Sequence, residues 1–282
     1  MIQIREMESI EPLAELKRLY IQQTTAPLDD MWLFGFVPAA VHYGFYDDTK
    51  LVGYCCVNDE GYLLQFFLIS QYRNESSDLL EAMVRLDDPS TLKVNGVFVS
   101  TAEPFFLSLC LDTFSTFEVK ALMYQEKAPS SMKEQDLVLP LVTIESVQLP
   151  KAIEFAKEAI GAPEDWLTGY YAKLISRQEL FGLWEENGDL IATGESRSYD
   201  DYQTEYAYLG MIVAESERGK GLATQILKQL ASMNTSKGLK SICSTDKMNL
   251  ASQKAISRAG FFAGHRIVQF KVSESQKLPE RR

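Results

Sequence analysis

Two glycines set among two cations carry the chemistry most legible in this chain: Arg218-Gly219-Lys220-Gly221, followed by Leu222-Ala223-Thr224. Glycine takes positive φ at little cost and lets backbone approach a ligand closely. The first N–H groups of a helix have no intrahelical partner and lie at the positive end of its dipole. A helix starting here is an anion site, worth roughly 0.3–1 kcal/mol per exposed dipole–charge contact. Arg218 and Lys220 are expected to add mobile positive charge at the rim, so the loop reads as a pyrophosphate cradle. It is not a Walker loop, because Leu222-Ala223 stands where Lys and Ser/Thr are required. Nor is it a dinucleotide fingerprint, whose third glycine is Thr224 here.

The elements that must position this loop are readable on either side. The apolar run Tyr206 to Val213 predicts a strand, and Leu222, Ile226, Leu227, Leu230 and Ala231 recur at helical spacing. Next come a short strand near Ile242 and a loop ending at Asn249, which reads as an N-cap, with Gly260 as the helix stop. Arg218-x-x-Gly221-x-Ala223 after Met211-x-Val213 resembles the [RQ]-x-x-G-x-[GA] loop of the GNAT superfamily of acyl-CoA-dependent N-acyltransferases. Asn249-x-x-Ser252-x-x-Ala255-Ile256-x-x-x-Gly260-Phe261 is similar to that family's second signature, about 30 residues further on.

The resemblance implies acetyl-CoA as co-substrate and no metal. Its pantetheine would bond the backbone of Met211, Ile212 and Val213 on a strand bulged and splayed from its neighbour. Its pyrophosphate would sit on Arg218, Gly219, Lys220, Gly221, Leu222, Ala223 and Thr224, and Asn249 would touch pantetheine while capping its helix. The implied reaction is attack of a primary amine on a thioester, which needs a base for the ammonium and a donor for the oxyanion. Such a preorganised donor is typically worth around 3 kcal/mol. Glu205, at the start of the strand, is expected as the general base, acting through water, with Glu195 as second choice. The family's acid, a tyrosine, is Ile256 here. Tyr208 is expected to replace it, with Ser257, water or unaided departure of the thiolate as alternatives. A non-catalytic acyl-CoA-binding or sensing module is the competing reading of the lost tyrosine.

The 282 residues exceed one small α/β domain, and 46% hydrophobic content supports a full core. A net charge of −11 disfavours nucleic acid and anionic membranes and suits an amine substrate, small-molecule or peptide. No apolar run approaches 18 residues, and no signal-peptide core opens the chain. Cys55, Cys56, Cys110 and Cys243 show no metal or disulfide spacing. His42 and His265 lie far apart at strand positions. The expectation is a cytoplasmic protein, monomeric or homodimeric.

The order strand–strand–strand–helix–strand–helix–strand occurs twice. Arg73 repeats as Arg218, Ser100-Thr101 as Ser244-Thr245 and Phe117 as Phe261, each about 144–145 residues on. The fold class expected is therefore α+β: two tandem GNAT-like domains, each a mixed, mostly antiparallel sheet flanked by helices. Residues 1–127 form a degenerate copy and 136–273 the acetyl-CoA-binding copy, around a linker at 126–135. The first copy reads Arg73-Asn-Glu-Ser-Ser-Asp78 at the cradle and Phe105 where the second has Asn249, so it is expected to bind no CoA. In the second copy, Asp136 to Ser146 reads as an edge strand. Trp166, Tyr170 and Tyr171, on a helix over 163–176, read as a core stripe, with contact to the acceptor the alternative that the resemblance implies. The connection 198–204 is longer than in the first copy and reads as a solvated hairpin turn, with Asp200-Asp201 as charge for an ammonium the alternative.

Overall fold

A computed structural model of the chain describes residues 2–29, 31–85, 93–128 and 138–273. Its first half contains β1 (Gln3–Glu6), α1 (Ala14–Gln22), α2 (Val37–Ala39), β2 (Val41–Asp47), β3 (Lys50–Val57), β4 (Tyr62–Leu68), α3 (Ser76–Arg85), β5 (Gly96–Ser100), α4 (Pro104–Thr113) and β6 (Phe117–Glu126). The second contains β7 (Val142–Thr143), α5 (Leu149–Ile160), α6 (Glu164–Ser176), β8 (Leu180–Trp184), β9 (Leu190–Ser198), β10 (Tyr206–Val213), α7 (Leu222–Ser236), β11 (Lys240–Asp246), α8 (Leu250–Arg258) and β12 (Phe261–Lys271). The chain divides into two compact units, Met1–Leu122 with His265–Arg282, and Met123–Gly264, so the division falls inside β6 and inside β12.

In the first unit β1, β2, β3 and β4 pair antiparallel in sequence, β5 joins β4 in parallel, and β12 pairs antiparallel with β5. The second unit repeats the pattern. There β7, β8, β9 and β10 pair antiparallel, and β11 joins β10 in parallel. Each unit is thus a mixed sheet flanked by helices, as the repeat predicts. The first core gathers Phe45, Leu63, Phe66, Leu80, Phe106 and Phe270. One core of the second gathers Ile144, Ala152, Ala156, Leu167, Tyr171 and Leu174 between α5, α6 and β8. All four cysteines are buried and outside any disulfide. Among the described residues no helix is long and apolar enough to cross a membrane.

The edge strand expected over 136–146 shrinks to Val142–Thr143. Pro140 precedes it, and proline removes a ladder N–H, which ends pairing on that side. Residues 136 and 137, the linker from 129 onward and the tail from 274 lie outside the described residues.

Where the second unit holds a glycine loop, the first has none. A 3-10 turn, Ser70–Glu75, runs straight into α3, and Ser76 sits at φ −63° with its N–H bonded to the Arg73 carbonyl. Arg73 itself donates to Gln23 at 2.6 Å and lies over the Phe105 ring at 4.9 Å. The sequence alignment set Phe105 against Asn249, but Phe105 lies inside α4 and the residue at the N-cap is Glu103. Glu103 is 3% exposed, and its carboxylate accepts from the Ser100 N–H at 2.6 Å and from the Tyr20 hydroxyl. Burial raises its pKa from 4.5 to about 8, against the lowering by the Ser100 N–H. A carboxyl whose folded pKa lies above its unfolded value holds a proton that the unfolded chain has lost. Its contribution is complete below the unfolded pKa and is lost as pH rises through the folded one. The wild type is therefore expected to lose stability between about pH 4.5 and pH 8 relative to Glu103→Gln. Urea midpoints across that range check this, and parallel profiles for the two proteins would refute it.

Candidate active site

The glycine loop is placed by what lies beneath α7. Ile226, Leu227, Leu230 and Ala231 are fully buried, and burying a Leu or Ile contributes about 1.5–3 kcal/mol. They reach the sheet because residue 194 has no side chain: a Cβ there would stand 2.8 Å from Ile226 and 3.0 Å from Leu230. Asn234, 1% exposed, accepts from the Ser196 hydroxyl at 2.8 Å and donates to Ser241 at 3.1 Å, which ties α7 to β9 and β11. With the helix fixed, its N-terminus is fixed too. Gly219 and Gly221 lie at φ +82° and +86°, and a Cβ on either would meet nothing within 4 Å. Their requirement is conformational, and the space over them is open. Gly221 is the N-cap of α7, without a side-chain cap bond and without an acidic residue in the first turn. The first-turn N–H groups of Leu222, Ala223 and Thr224 therefore form an uncapped, accessible anion site.

Each rim cation has a partner within the unit. Arg218 donates to the carbonyls of Val213 at 3.2 Å and Ala159 at 2.8 Å, closing the loop against β10 and the end of α5. Lys220 pairs with Glu217 at 2.7 Å, an exposed bond of small stabilising value. Thr224 donates to the Ala255 carbonyl at 3.3 Å, joining α7 to α8.

Below the loop, two parallel strands come apart. β10 and β11 pair only at Tyr206, Ala207 and Tyr208, whereas β10 stays paired with β9 through Val213. The Ala214 N–H bonds the Ile191 carbonyl on the β9 side, and the Glu205 carbonyl accepts from Lys240 on the β11 side. By strand alternation, the backbone of Leu209, Met211 and Val213 faces the gap and that of Ile212 faces β9. This revises the expected trio: Met211 and Val213 turn backbone to the gap, and Ile212 does not. The β9–β10 register also runs without a shift from Ala207 to Val213, so the expected bulge is missing and strand divergence alone makes the gap. Asn249 caps α8 across it, accepting from the Ser252 N–H at 3.0 Å. Asn249→Ala is expected to cost about 1 kcal/mol through the lost cap. A thermal melt checks this, and an unchanged midpoint would refute it.

Glu205 stands exposed at the zipped start of β10. Glu195 faces Gly210 directly across the β9–β10 ladder, level with the gap. A Cβ at residue 210 would stand 2.0 Å from Glu195 Oε1, so only glycine leaves room for that carboxylate. Tyr170 donates to Glu195 Oε2 at 2.7 Å, and the Arg197 guanidinium lies 3.7 Å from Oε1. Arg197, 7% exposed, is held between the rings of Tyr170 and Tyr208, 5.2 and 4.7 Å away. Tyr208 sends its hydroxyl across the strands to Ser244 Oγ at 2.6 Å and accepts from the Ser244 N–H at 3.2 Å. Ile256, in place of a tyrosine, is buried at 2% exposure, and Ser257 is exposed. Burial, then the Glu195 charge, raises the pKa of the Tyr171 phenol and keeps it neutral.

Two further expectations change. The charge on Asp200 is engaged, because Arg177 bonds both its oxygens at 2.7 and 3.0 Å while also holding Glu179. Of the aromatic stripe on α6, Tyr171 is core at 2% exposure, but Trp166 is 45% exposed. Sequence reasoning also missed Gly194, Gly210, Asn234 and Ser244. Only the packing of α7 against β9, β10 and β11 shows what each of them faces.

Comparison with known proteins agrees with this architecture. Residues 9–127 match the acetyltransferase (GNAT) domain profile and residues 148–261 the acetyltransferase (GNAT) family profile. The chain is similar to a GNAT-family acetyltransferase from Colwellia psychrerythraea, at 47% identity and TM-score 0.90, over 96% of this chain and 100% of that one. It shares its fold with a tandem GNAT protein from the clavulanic acid biosynthesis pathway, at 12% identity and TM-score 0.65, over 96% and 98% of the two chains. A GCN5-related N-acetyltransferase from Sphaerobacter thermophilus is similar at 12% identity and TM-score 0.64, over 96% and 95%. No curated protein matches. With two family profiles in tandem and a relative nearly half identical along its whole length, the chain belongs to the GNAT family of acetyltransferases.

Proposed function

We propose that the second unit is an N-acetyltransferase that moves the acetyl group of acetyl-CoA onto a primary amine, and that the first unit binds no CoA. The observation that carries this reading is the placement of Glu195 opposite Gly210, level with the point where β10 and β11 separate. The residues present fit the co-substrate. The α7 N-terminus is uncapped, Gly219 and Gly221 lie open, and Met211 and Val213 turn backbone toward the gap. Asn249 caps α8, the next helix after β11. When bound, acetyl-CoA supplies an acetyl group activated as a thioester.

The remaining work falls to the chain's own side chains. Glu195 takes the proton of the incoming ammonium at Oε1, the oxygen that Tyr170 leaves open. Arg197, placed between two rings, lies 3.7 Å from that oxygen and helps to hold the carboxylate in place. The Tyr208 hydroxyl, held by Ser244, is the proton donor within the gap, in the role that Ile256 cannot fill. Glu205 is too far along the zipped end of β10 to be preferred as base, and its substitution is the natural control. Titration calorimetry of acetyl-CoA, followed by free-thiol release with added amines, tests the reading. Stoichiometric binding to one site with amine-dependent thiol release supports it. Absence of binding would sink it.

A further inference from the structure

One cation of the first unit is turned inward. Leu13, Leu16 and Tyr20 are buried on the side of α1 and its lead-in turn that faces the core. Lys17 lies one turn after Leu13 and one turn before Tyr20, so helical period carries it to the edge of that side. Its neighbour Arg18 instead pairs with Glu15 along the exposed face. The Lys17 Nζ meets the Nε2 of His42, on β2, at 3.2 Å. His42 is 3% exposed, and its Nδ1 lies 3.0 Å from the Ala40 carbonyl. A carbonyl can only accept, so the ring proton sits on Nδ1 and Nε2 presents a lone pair. Lys17 donates to that lone pair equally well as ammonium or as amine.

No negative charge stands beside it. Among the described residues no carboxylate pairs with Lys17. The other titratable group that faces it is Cys56 on β3, fully buried, and burial pushes that thiol up to about 12 and keeps it neutral. Burial lowers the pKa of Lys17, and burial, then the Lys17 charge, lowers that of His42 to about 4. Lys17 is nevertheless partly exposed, within reach of solvent.

We infer that Lys17 is a modification site for Nε-acylation by short acyl thioesters, its amine set against a neutral imidazole in place of a carboxylate. The unprotonated Nζ attacks the thioester carbonyl. The C–N bond forms, the C–S bond breaks, and the departing thiolate takes up the proton that the nitrogen loses. The product suits the place better than the lysine does. Its amide N–H still donates to His42 Nε2, and the charge that burial penalises is gone. The step draws nothing from the glycine loop, so it is independent of the transferase reading.

Incubating the full chain with S-acetyl-N-acetylcysteamine, a thioester without a nucleotide, and mapping the lysines by mass spectrometry tests this. Near neutral pH Lys17 is expected to react about fivefold or more faster than the exposed Lys247 and Lys254, as a desolvated lysine nucleophile does. Its rate is also expected to level off at a lower pH than theirs. His42→Asp sets a carboxylate against the ammonium and is expected to bring Lys17 down to the rate of the exposed lysines. His42→Gln, which keeps a neutral acceptor, is expected to retain most of the advantage. Equal rates at Lys17 and Lys254, or a Lys17 rate that climbs with pH as theirs do, overturn the inference in the wild type alone. A Lys17 rate unchanged in folded His42→Asp overturns it as well.

Discussion

Glu195→Gln is expected to lower kcat by about 10²–10⁴-fold, the usual contribution of a positioned general base, with acetyl-CoA affinity unchanged. The amide keeps the shape and still accepts from Tyr170, whose hydroxyl donates to Oε2 at 2.7 Å. It cannot take a proton from an ammonium, so the loss falls on the chemical step. Glu205→Gln is the control, expected to change kcat by about twofold or less, as for an exposed substitution away from special contacts. Gly210→Ala is the companion variant. Its methyl carbon would meet Glu195 Oε1 at 2.0 Å, so the carboxylate must swing away and kcat should fall although Glu195 is present. A large loss in Glu205→Gln with an active Glu195→Gln would transfer the base to the strand's start and overturn the assignment.

Gly221→Asp is expected to weaken acetyl-CoA binding by roughly 10–150-fold, about 1.3–3 kcal/mol. Two causes add. A non-glycine residue at φ +86° costs about 1–2 kcal/mol, and relaxing that strain moves the loop. A carboxylate at the head of α7 also satisfies the dipole that would otherwise hold pyrophosphate, worth roughly 0.3–1 kcal/mol. Gly221→Asn isolates the charge, since asparagine and aspartate tolerate the left-handed region alike and asparagine brings no charge. Its loss by calorimetry should be clearly smaller than that of the aspartate. Undiminished binding in Gly221→Asp would place the co-substrate elsewhere, with the first unit the next to examine. There, Glu75 and Asp78 flank a turn that has already closed into α3.

The sequence by itself determined what depends on local physics. Period and turn chemistry placed β10, α7, β11 and α8 in order, and the recurrence of Arg73, Ser100 and Phe117 as Arg218, Ser244 and Phe261 disclosed the tandem. Gly219 and Gly221 were readable because few other residues take positive φ, and Asn249 because a helix start needs an acceptor. Asp136 to Ser146 alternates convincingly, but among its described residues, from 138 on, the strand is Val142–Thr143, since alternation reports a pattern and says nothing of whether Pro140 permits pairing.

Tertiary structure alone decided the chemistry around the loop. Glu195 and Gly210 are fifteen residues apart and meet only because the β9–β10 register sets them opposite each other. One residue of slip would turn every side chain of β10 to the other face. Arg218 donates to the carbonyls of Val213 and Ala159, one of them far upstream in sequence, a pairing that only the fold brings about. Trp166 and Tyr171 belong to one apolar-looking stripe, yet one is exposed and the other is core, because α6 meets its neighbours along a single line. Residue types and spacing name the groups that react. Which of them face each other is set by strand register and helix rotation, and those are settled by packing across the whole unit.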